Sequence, residues 1–403
     1  MRAADTEIFT EEGNFVKDPI SKVAKEMQPS GIRKFFDVVA EMPDAISLGV
    51  GEPDFDTPWH IREAGIYSIE QGHTFYTSNA GLLRLRVEIS KYVERKYGLS
   101  YVPKSEVFVT VGGSEAIDMA MRAMLNPGDE VIVPEPCYVS YVPCTRLAGG
   151  VPVTINLKEE DDFRLTPEEL TAAITDKTKI LILAYPNNPT GAVMRREDLE
   201  KIAKICIEKD IYVLSDEIYA ELTYDGEHVS IASVPGMQER TIVIGGFSKS
   251  YAMTGWRMGY AVGPALIISQ MLKLHQYAIM CAPTMSQYAA IEALQHGDDD
   301  VARMREEYNQ RRRFLVKELN DMGLHCFEPF GAFYVFPSIK HLNLTSDEFA
   351  TRLLEEEKLA VVPGTAFGAC GEGFLRISYA YSLAELKEAL GRIRRFVGRL
   401  ENK

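Results

Sequence analysis

The stretch Gly245-Gly246-Phe247-Ser248-Lys249-Ser250-Tyr251-Ala252-Met253-Thr254-Gly255-Trp256-Arg257-Met258-Gly259 decides how the rest of the chain is read. It follows Thr241-Ile242-Val243-Ile244, a β-branched apolar run of the kind that forms strands covered on both faces of a parallel sheet. Glycines and small residues at a strand end let the backbone come close to a ligand. Here they are joined by a lysine, hydroxyls and an arginine. A lysine amine condenses with carbonyl groups, and an arginine holds an anion through a planar two-point contact. A ligand bearing both an aldehyde and a phosphate would engage both. Taken alone, a lysine beside a glycine-rich turn also reads as a solvated loop residue.

Four further stretches narrow that choice. Tyr212-Val213-Leu214-Ser215-Asp216 is an apolar strand ending in an acid, with Tyr219 three residues on. An aspartate at the tip of a parallel strand, facing a cleft, can keep a pyridine nitrogen protonated. Val107-Phe108-Val109-Thr110-Val111 runs into Gly112-Gly113-Ser114-Glu115-Ala116 and a helical pattern. Such a junction aims free N–H groups and a helix N-terminus at whatever sits there, which suits a phosphate. Ala184-Tyr185-Pro186-Asn187-Asn188-Pro189-Thr190-Gly191 is a turn at another strand end. Phe374-Leu375-Arg376-Ile377-Ser378 sets one arginine inside an apolar run, where it needs an anionic partner.

In order and spacing these motifs resemble the class I/II aminotransferases, the pyridoxal-phosphate enzymes of fold type I, over nearly the whole chain from about Ser30 onward. Gly51-Glu52-Pro53-Asp54-Phe55, Val362-Pro363-Gly364 and Gly331-Ala332-Phe333-Tyr334 are similar to the bacterial aspartate, aromatic and acetyl-diaminopimelate aminotransferase branch. The resemblance implies pyridoxal 5′-phosphate as cofactor. It makes Lys249 the residue that binds the cofactor aldehyde and later carries the proton between substrate and cofactor carbons. Asp216 would pair with the ring nitrogen, Tyr219 and Asn188 with the ring hydroxyl, and Tyr138 would stack on the ring. Gly113, Ser114, Ser248 and Arg257 would hold the phosphate. Arg376 would clamp the substrate α-carboxylate, with Asn188 and the Gly51 backbone close by. Tyr76 resembles a tyrosine that enters the neighbouring subunit's site, which implies a homodimer.

Each assignment has a plainer competitor. Asp216 reads also as a helix N-cap before Glu217, Tyr219 and Tyr138 as core aromatics, and Arg376 as half of a structural ion pair. Trp256 is expected to pack in the core rather than touch substrate.

At 403 residues the chain is long enough for two domains with substantial cores. Its 58 acidic against 44 basic residues, net −14, disfavour nucleic acid as a partner and supply no basic membrane patch. Cysteines at 137, 144, 206, 281, 326 and 370 fit neither a disulfide framework nor a zinc cage, so a reducing, cytoplasmic setting is expected. The seven histidines lack metal-ligand spacing, and no metal is expected. Met1 to Asn14 contain no signal-peptide core, and no run approaches the ~18 apolar residues of a membrane span.

Alternating patterns predict strands at 107–111, 130–133, 151–155, 179–184, 211–215, 241–245 and 258–262, with helices at 114–125, 138–148, 167–174 and 197–209 between them. The fold class expected is therefore α/β: a mostly parallel seven-stranded sheet with helices on both faces, and its ligand at the C-terminal strand ends. After about residue 290 a charged helix (301–319), short strands near 333–337 and 374–378 and a terminal helix from Leu383 predict a smaller α+β domain. The expected division is 46–295 for the large domain and 296–403 for the small one. By resemblance, 1–45 joins the latter.

The activity implied is transfer of an amino group from an L-amino acid, aspartate or aromatic first, to a 2-oxo acid such as 2-oxoglutarate, in two half-reactions at one site. An N-acetyl-diaminopimelate aminotransferase or a carbon–sulfur lyase on the same scaffold are the alternatives. A nucleotide enzyme is disfavoured by the absence of G-x-x-x-x-G-K-[ST] and of G-x-G-x-x-G spacing at Gly112. The segment Gln276 to Thr284, where one branch of the family lends an arginine to acidic side chains, contains none. Arg33 is the candidate cation for a distal carboxylate, on a segment expected to form a mobile flap. Phe35, Phe36 and Tyr76 would suit an aromatic side chain.

Overall fold

The computed structural model describes residues 7–9, 15–29, 31, 42 and 44–401. At its centre is a seven-stranded sheet in the order Val107–Thr110, Gly259–Val262, Thr241–Gly246, Tyr212–Asp216, Thr178–Ala184, Glu130–Glu135, Val151–Asn156. Gly259–Val262 runs antiparallel to both its neighbours, while the remaining pairs are parallel. All seven expected strands form, with bounds that move by a residue or two.

Both faces of the sheet are covered, which is why the strands are apolar throughout rather than alternating. Phe108, Ile180, Ile182, Ile242 and Ile244 pack with Ile117, Met121, Ile268 and Met271 from helices Gly112–Met124 and Ala265–Ala278. Their strand neighbours Val107, Val109 and Val243 point the opposite way, onto Leu85, Ile89, Ile291 and Leu294 of helices Leu83–Tyr97 and Thr284–His296. Leu181, Leu183 and Val213 meet Leu199 and Ile202 of helix Arg196–Glu208. The residue-by-residue alternation is the strand period of two with both sides buried.

The helix expected at 167–174 forms over Pro167–Ala173, with a capping box in which Thr166 and Glu169 satisfy each other's backbone N–H. The helix expected at 138–148 begins only at Tyr141. Residues 138–140 stay outside it in a turn, and this turn carries Tyr138 to the end of the sheet.

A separate apolar cluster is built from Tyr308 and Leu315 of helix Asp298–Asp321, Phe349 and Leu353 of helix Ser346–Glu357, and Leu386 and Phe396 of helix Leu383–Glu401. Short strands Tyr334–Val335, Leu375–Ser378 and Val362–Pro363 form an antiparallel sheet beside it. The chain segment Ile46–Ser47 pairs in parallel with Leu359–Ala360, and the Ser378 N–H donates to the Leu48 carbonyl at 2.8 Å. These pairings bring Gly49–Glu52 and Arg376 to the rim of the large sheet. Among the described residues no helix is long and apolar enough to cross a membrane.

Candidate active site

The C-terminal ends of the parallel strands open into a cavity of about 350 Å³. Gly113, Tyr138, Asn188 and Asp216 lie at or just beyond four different strand ends, Ser248 and Lys249 share a fifth, and all line it. Arg257 precedes Gly259–Val262, whose reversed direction puts its start at this same rim. One sheet edge thus gathers the residues that the sequence had spread over more than a hundred positions.

Lys249 is half-buried, and its Nζ donates to the Gly51 carbonyl at 2.5 Å. The amine lies 5.9 Å from the Tyr219 ring centre and 5.7 Å from that of Phe333. Burial pulls its pKa down to about 8; Glu52 opposes the shift, while Arg376 and Arg257 add to it. Such an amine is a usable proton acceptor near neutral pH, unlike a solvated loop lysine. Gly51 is required for this approach, since a Cβ there would run into the Tyr334 hydroxyl.

Asp216 is 7% exposed. Its Oδ2 accepts from the Tyr141 hydroxyl at 2.7 Å and its Oδ1 from the Ile218 N–H at 3.3 Å. Burial raises its pKa to about 6 against the lowering effect of these two bonds; Glu217 adds a smaller upward push. A carboxylate so placed is stabilised by a cationic N–H on a ligand. Tyr219 is buried, and its hydroxyl meets that of Tyr334 at 2.7 Å.

At the other end of the cavity, helix Gly112–Met124 starts without a side-chain cap. Its first N–H groups therefore lack intrahelical acceptors and face the cavity with the positive end of the helix dipole. Gly112 sits at φ 74°, and a Cβ there would meet the Arg257 guanidinium. Arg257 itself is held in the left-handed region, φ 51°, with Nη1 donating to the Thr254 carbonyl at 2.9 Å. Ser248 is buried at the same end, and the Ser114 Oγ lies 3.5 Å from the Tyr138 hydroxyl.

Arg376 is 2% exposed, sandwiched between Tyr334 and Phe367 with its Cζ 4.5 and 4.7 Å from the ring centres. Nη1 donates to Asn188 Oδ1 at 3.0 Å and Nη2 to the Gly49 carbonyl at 2.5 Å, while Nε has no partner among the described residues. No carboxylate among the described residues pairs with it, so the ion-pair alternative finds no partner there. A buried guanidinium without an anion is costly, and an incoming carboxylate relieves that cost.

Tyr76 is 80% exposed and does not line the cavity of its own chain. Arg33 lies outside the described residues, as do Phe35 and Phe36. Trp256 packs on Gly65 and donates to Thr57 Oγ1 at 3.0 Å, away from the cavity. Sequence reasoning missed Tyr141 and Glu52 as site residues and quoted Tyr334 only as part of a motif. The spacing of Tyr138 and Tyr141, three apart across a helix start, was the available signal: their rings meet edge to face at 5.6 Å.

The donor set matches the groups of pyridoxal phosphate: an amine for its aldehyde, a buried carboxylate for its ring nitrogen, hydroxyls for its ring oxygen, and a glycine cradle with an arginine for its phosphate. The residues fit. The profile of the family described as Aminotransferase class I and II matches residues 43–393. A putative aminotransferase, YugH, of Bacillus subtilis (strain 168) is 54% identical, covering 94% of this chain and 98% of its own. An aspartate aminotransferase of Pyrococcus abyssi is 48% identical over 91% and 95%. A probable N-acetyl-LL-diaminopimelate aminotransferase of B. subtilis is 46% identical over 93% and 94%. The crystal structure of an aromatic aminotransferase from Pyrococcus horikoshii OT3 superposes with a TM-score of 0.88 at 46% identity, covering 91% of this chain and 99% of that one. The chain belongs to the class I and II aminotransferases, and is a pyridoxal-phosphate-dependent transaminase acting on amino acids and 2-oxo acids.

Proposed function

We propose that one cavity serves both half-reactions, with aspartate or an aromatic amino acid as donor and 2-oxoglutarate as acceptor. The observation that carries this reading is Arg376, a buried guanidinium without a carboxylate partner among the described residues, facing the same cavity as the Lys249 amine. Every amino acid and 2-oxo acid offers the carboxylate it lacks.

Pyridoxal phosphate, when bound, supplies the aldehyde that takes up the amino group and the ring that draws electrons from the substrate carbon. Asp216 would hold the ring N–H, and Tyr141 holds Asp216. Tyr219 and Asn188 would bond the ring oxygen, and Tyr138 would cover one ring face. The N–H groups of Gly113 and Ser114, with Ser248 and Arg257, would hold the phosphate. Arg376 and Asn188 orient the substrate so that its Cα–H points at Lys249 Nζ. The Lys249 amine would take up that proton and carry it for the return transfer.

The same reading makes the active form a homodimer, with Tyr76 reaching the partner's phosphate. Phe75, Tyr76 and Tyr277 are 81%, 80% and 88% exposed on this chain, an arrangement that suits burial against a second copy. It also keeps 46–295 as the cofactor-binding domain and 296–403 with 1–45 as the smaller one, a division supported by an apolar cluster drawn mostly from 304–397.

For the distal side chain, Lys249, Arg257 and Arg376 are the cations lining the cavity among the described residues, and all three are already assigned. An acidic substrate then depends on Arg33, and Arg33→Ala should weaken only acidic substrates. The B. subtilis relative at 46% identity keeps N-acetyl-LL-diaminopimelate as the second reading. The test is the visible spectrum of the holoenzyme with aspartate, tyrosine, phenylalanine and glutamate added separately. Loss of the lysine-bound cofactor band with stoichiometric 2-oxo acid names a donor. Release of pyruvate and ammonia, with the band retained, would establish a lyase instead.

A further inference from the structure

Behind the phosphate end of the cavity, a buried acid–histidine couple braces the turn itself. Glu115, in the first turn of helix Gly112–Met124, uses both carboxylate oxygens away from the cavity. Its Oε2 accepts from the Val111 N–H at 2.5 Å, and its Oε1 meets His275 Nδ1 at 2.5 Å. The two side chains are 7% and 0% exposed. A carboxylate only accepts, so Nδ1 carries the proton. His275 comes from helix Ala265–Ala278, packs edge-on against Phe108 at 4.9 Å, and its Nε2 has no partner among the described residues.

Two physical points give this couple a purpose. Val111 immediately precedes Gly112, whose left-handed backbone turns the strand into the helix. By fixing the Val111 N–H, Glu115 fixes the direction in which the next N–H groups emerge. A carboxylate so near a phosphate would also repel it, and the His275 N–H offsets that charge from the far side.

We propose that Glu115 and His275 are positioning residues for the cofactor phosphate, acting through the Val111–Ser114 turn without touching the cofactor. The proposal rests on the assignment of the phosphate to that turn and to Arg257. The experiment is the ratio of dissociation constants for pyridoxal 5′-phosphate and for pyridoxal, which lacks the phosphate, on the full-length enzyme freed of cofactor. Loss of a charge-assisted bond in the brace should narrow the preference for the phosphorylated ligand about tenfold in His275→Leu, with pyridoxal affinity unchanged. His275→Asn, which keeps an N–H near the place of Nδ1, should restore most of it. Should His275→Leu not fold, Glu115→Gln reads the same ratio and should narrow it in the same sense. An unchanged ratio in these variants, or equal weakening of both ligands, overturns the proposal if Arg257→Ala narrows the preference for the phosphorylated ligand. An unchanged ratio in Arg257→Ala overturns the phosphate assignment itself, and the proposal with it.

Discussion

The Tyr141 hydroxyl donates to Asp216 Oδ2 across 2.7 Å, with both side chains buried at the end of the central sheet. This bond favours the ionised carboxylate, whereas burial favours the neutral acid and leaves the pKa at about 6. In Tyr141→Phe the opposing bond is gone, so the Asp216 pKa rises further. Because the carboxylate must be ionised to hold a ring N–H, affinity of the cofactor-free enzyme for pyridoxal 5′-phosphate is lost as pH falls through that pKa. The variant's acid limb of binding should therefore move to higher pH. A bond of about 1.5 kcal/mol corresponds to roughly tenfold weaker binding near pH 6. Recovery toward wild type is expected near pH 8. A pH profile with an unmoved acid limb would show that Tyr141 does not tune Asp216.

Lys249 offers a second test through its neighbour Glu52, whose carboxylate accepts from Thr254 Oγ1 at 3.2 Å at the cavity edge. The free amine has a pKa of about 8, and Glu52 acts to raise it. Proton abstraction needs the neutral amine, so the relevant limb of kcat rises with pH through that value. Glu52→Gln should shift the limb to lower pH. Glu52 is solvent-exposed, so the gain at pH 7 should be small, about twofold for an interaction near 0.5 kcal/mol. Lys249→Ala should lower kcat by about 10⁴-fold at every pH. A limb that moves upward in Glu52→Gln would reverse the assigned sign.

Much of this site was legible because strand ends carry it. The runs ending at Thr110, Ala184, Asp216 and Gly246 are apolar on both faces, so their periodicity marks them as central strands, and polar residues just past them have one place to go. What stayed hidden depends on contacts without sequence period. Tyr141 sits in an aromatic run whose helix start shifts by three residues, so its direction could not be read. The partners of Arg376, the Asn188 side chain and the Gly49 carbonyl, lie 188 and 327 residues away. The Glu115–His275 couple joins two helices 160 residues apart. No local pattern encodes such pairings.

Arg376→Lys separates binding of the shared carboxylate from reading of the side chain. The guanidinium fork, set between Tyr334 and Phe367, offers two parallel donors that an ammonium cannot reproduce. Losing that grip in a buried site costs about 3 kcal/mol, or roughly 10²-fold in kcat/KM. The loss should be the same for aspartate, tyrosine and phenylalanine, because all present the same α-carboxylate. A loss confined to one substrate would assign Arg376 to the side chain instead.

His60 tests how helix Trp59–Glu70 is tied to the two helices that meet at Gly297. Its Nδ1 lies 2.9 Å from Glu292 Oε1 and its Nε2 3.0 Å from Asp300 Oδ2, so the protonated ring bridges both carboxylates. Burial lowers its pKa, but the bonds to Glu292 and Asp300 outweigh it, and the net shift is upward from 6.5. A base whose folded pKa exceeds its unfolded value contributes stability that is complete below the unfolded pKa. That contribution fades as pH rises through the folded one. The difference in Tm between wild type and His60→Ala should therefore be greatest near pH 5.5 and shrink by pH 9. The ring is about one-third exposed, which keeps the full effect to a few degrees at most. Thermal melts of both proteins at the two pH values decide it: a difference that grows toward pH 9 would mean that the ring is held neutral between its two acids.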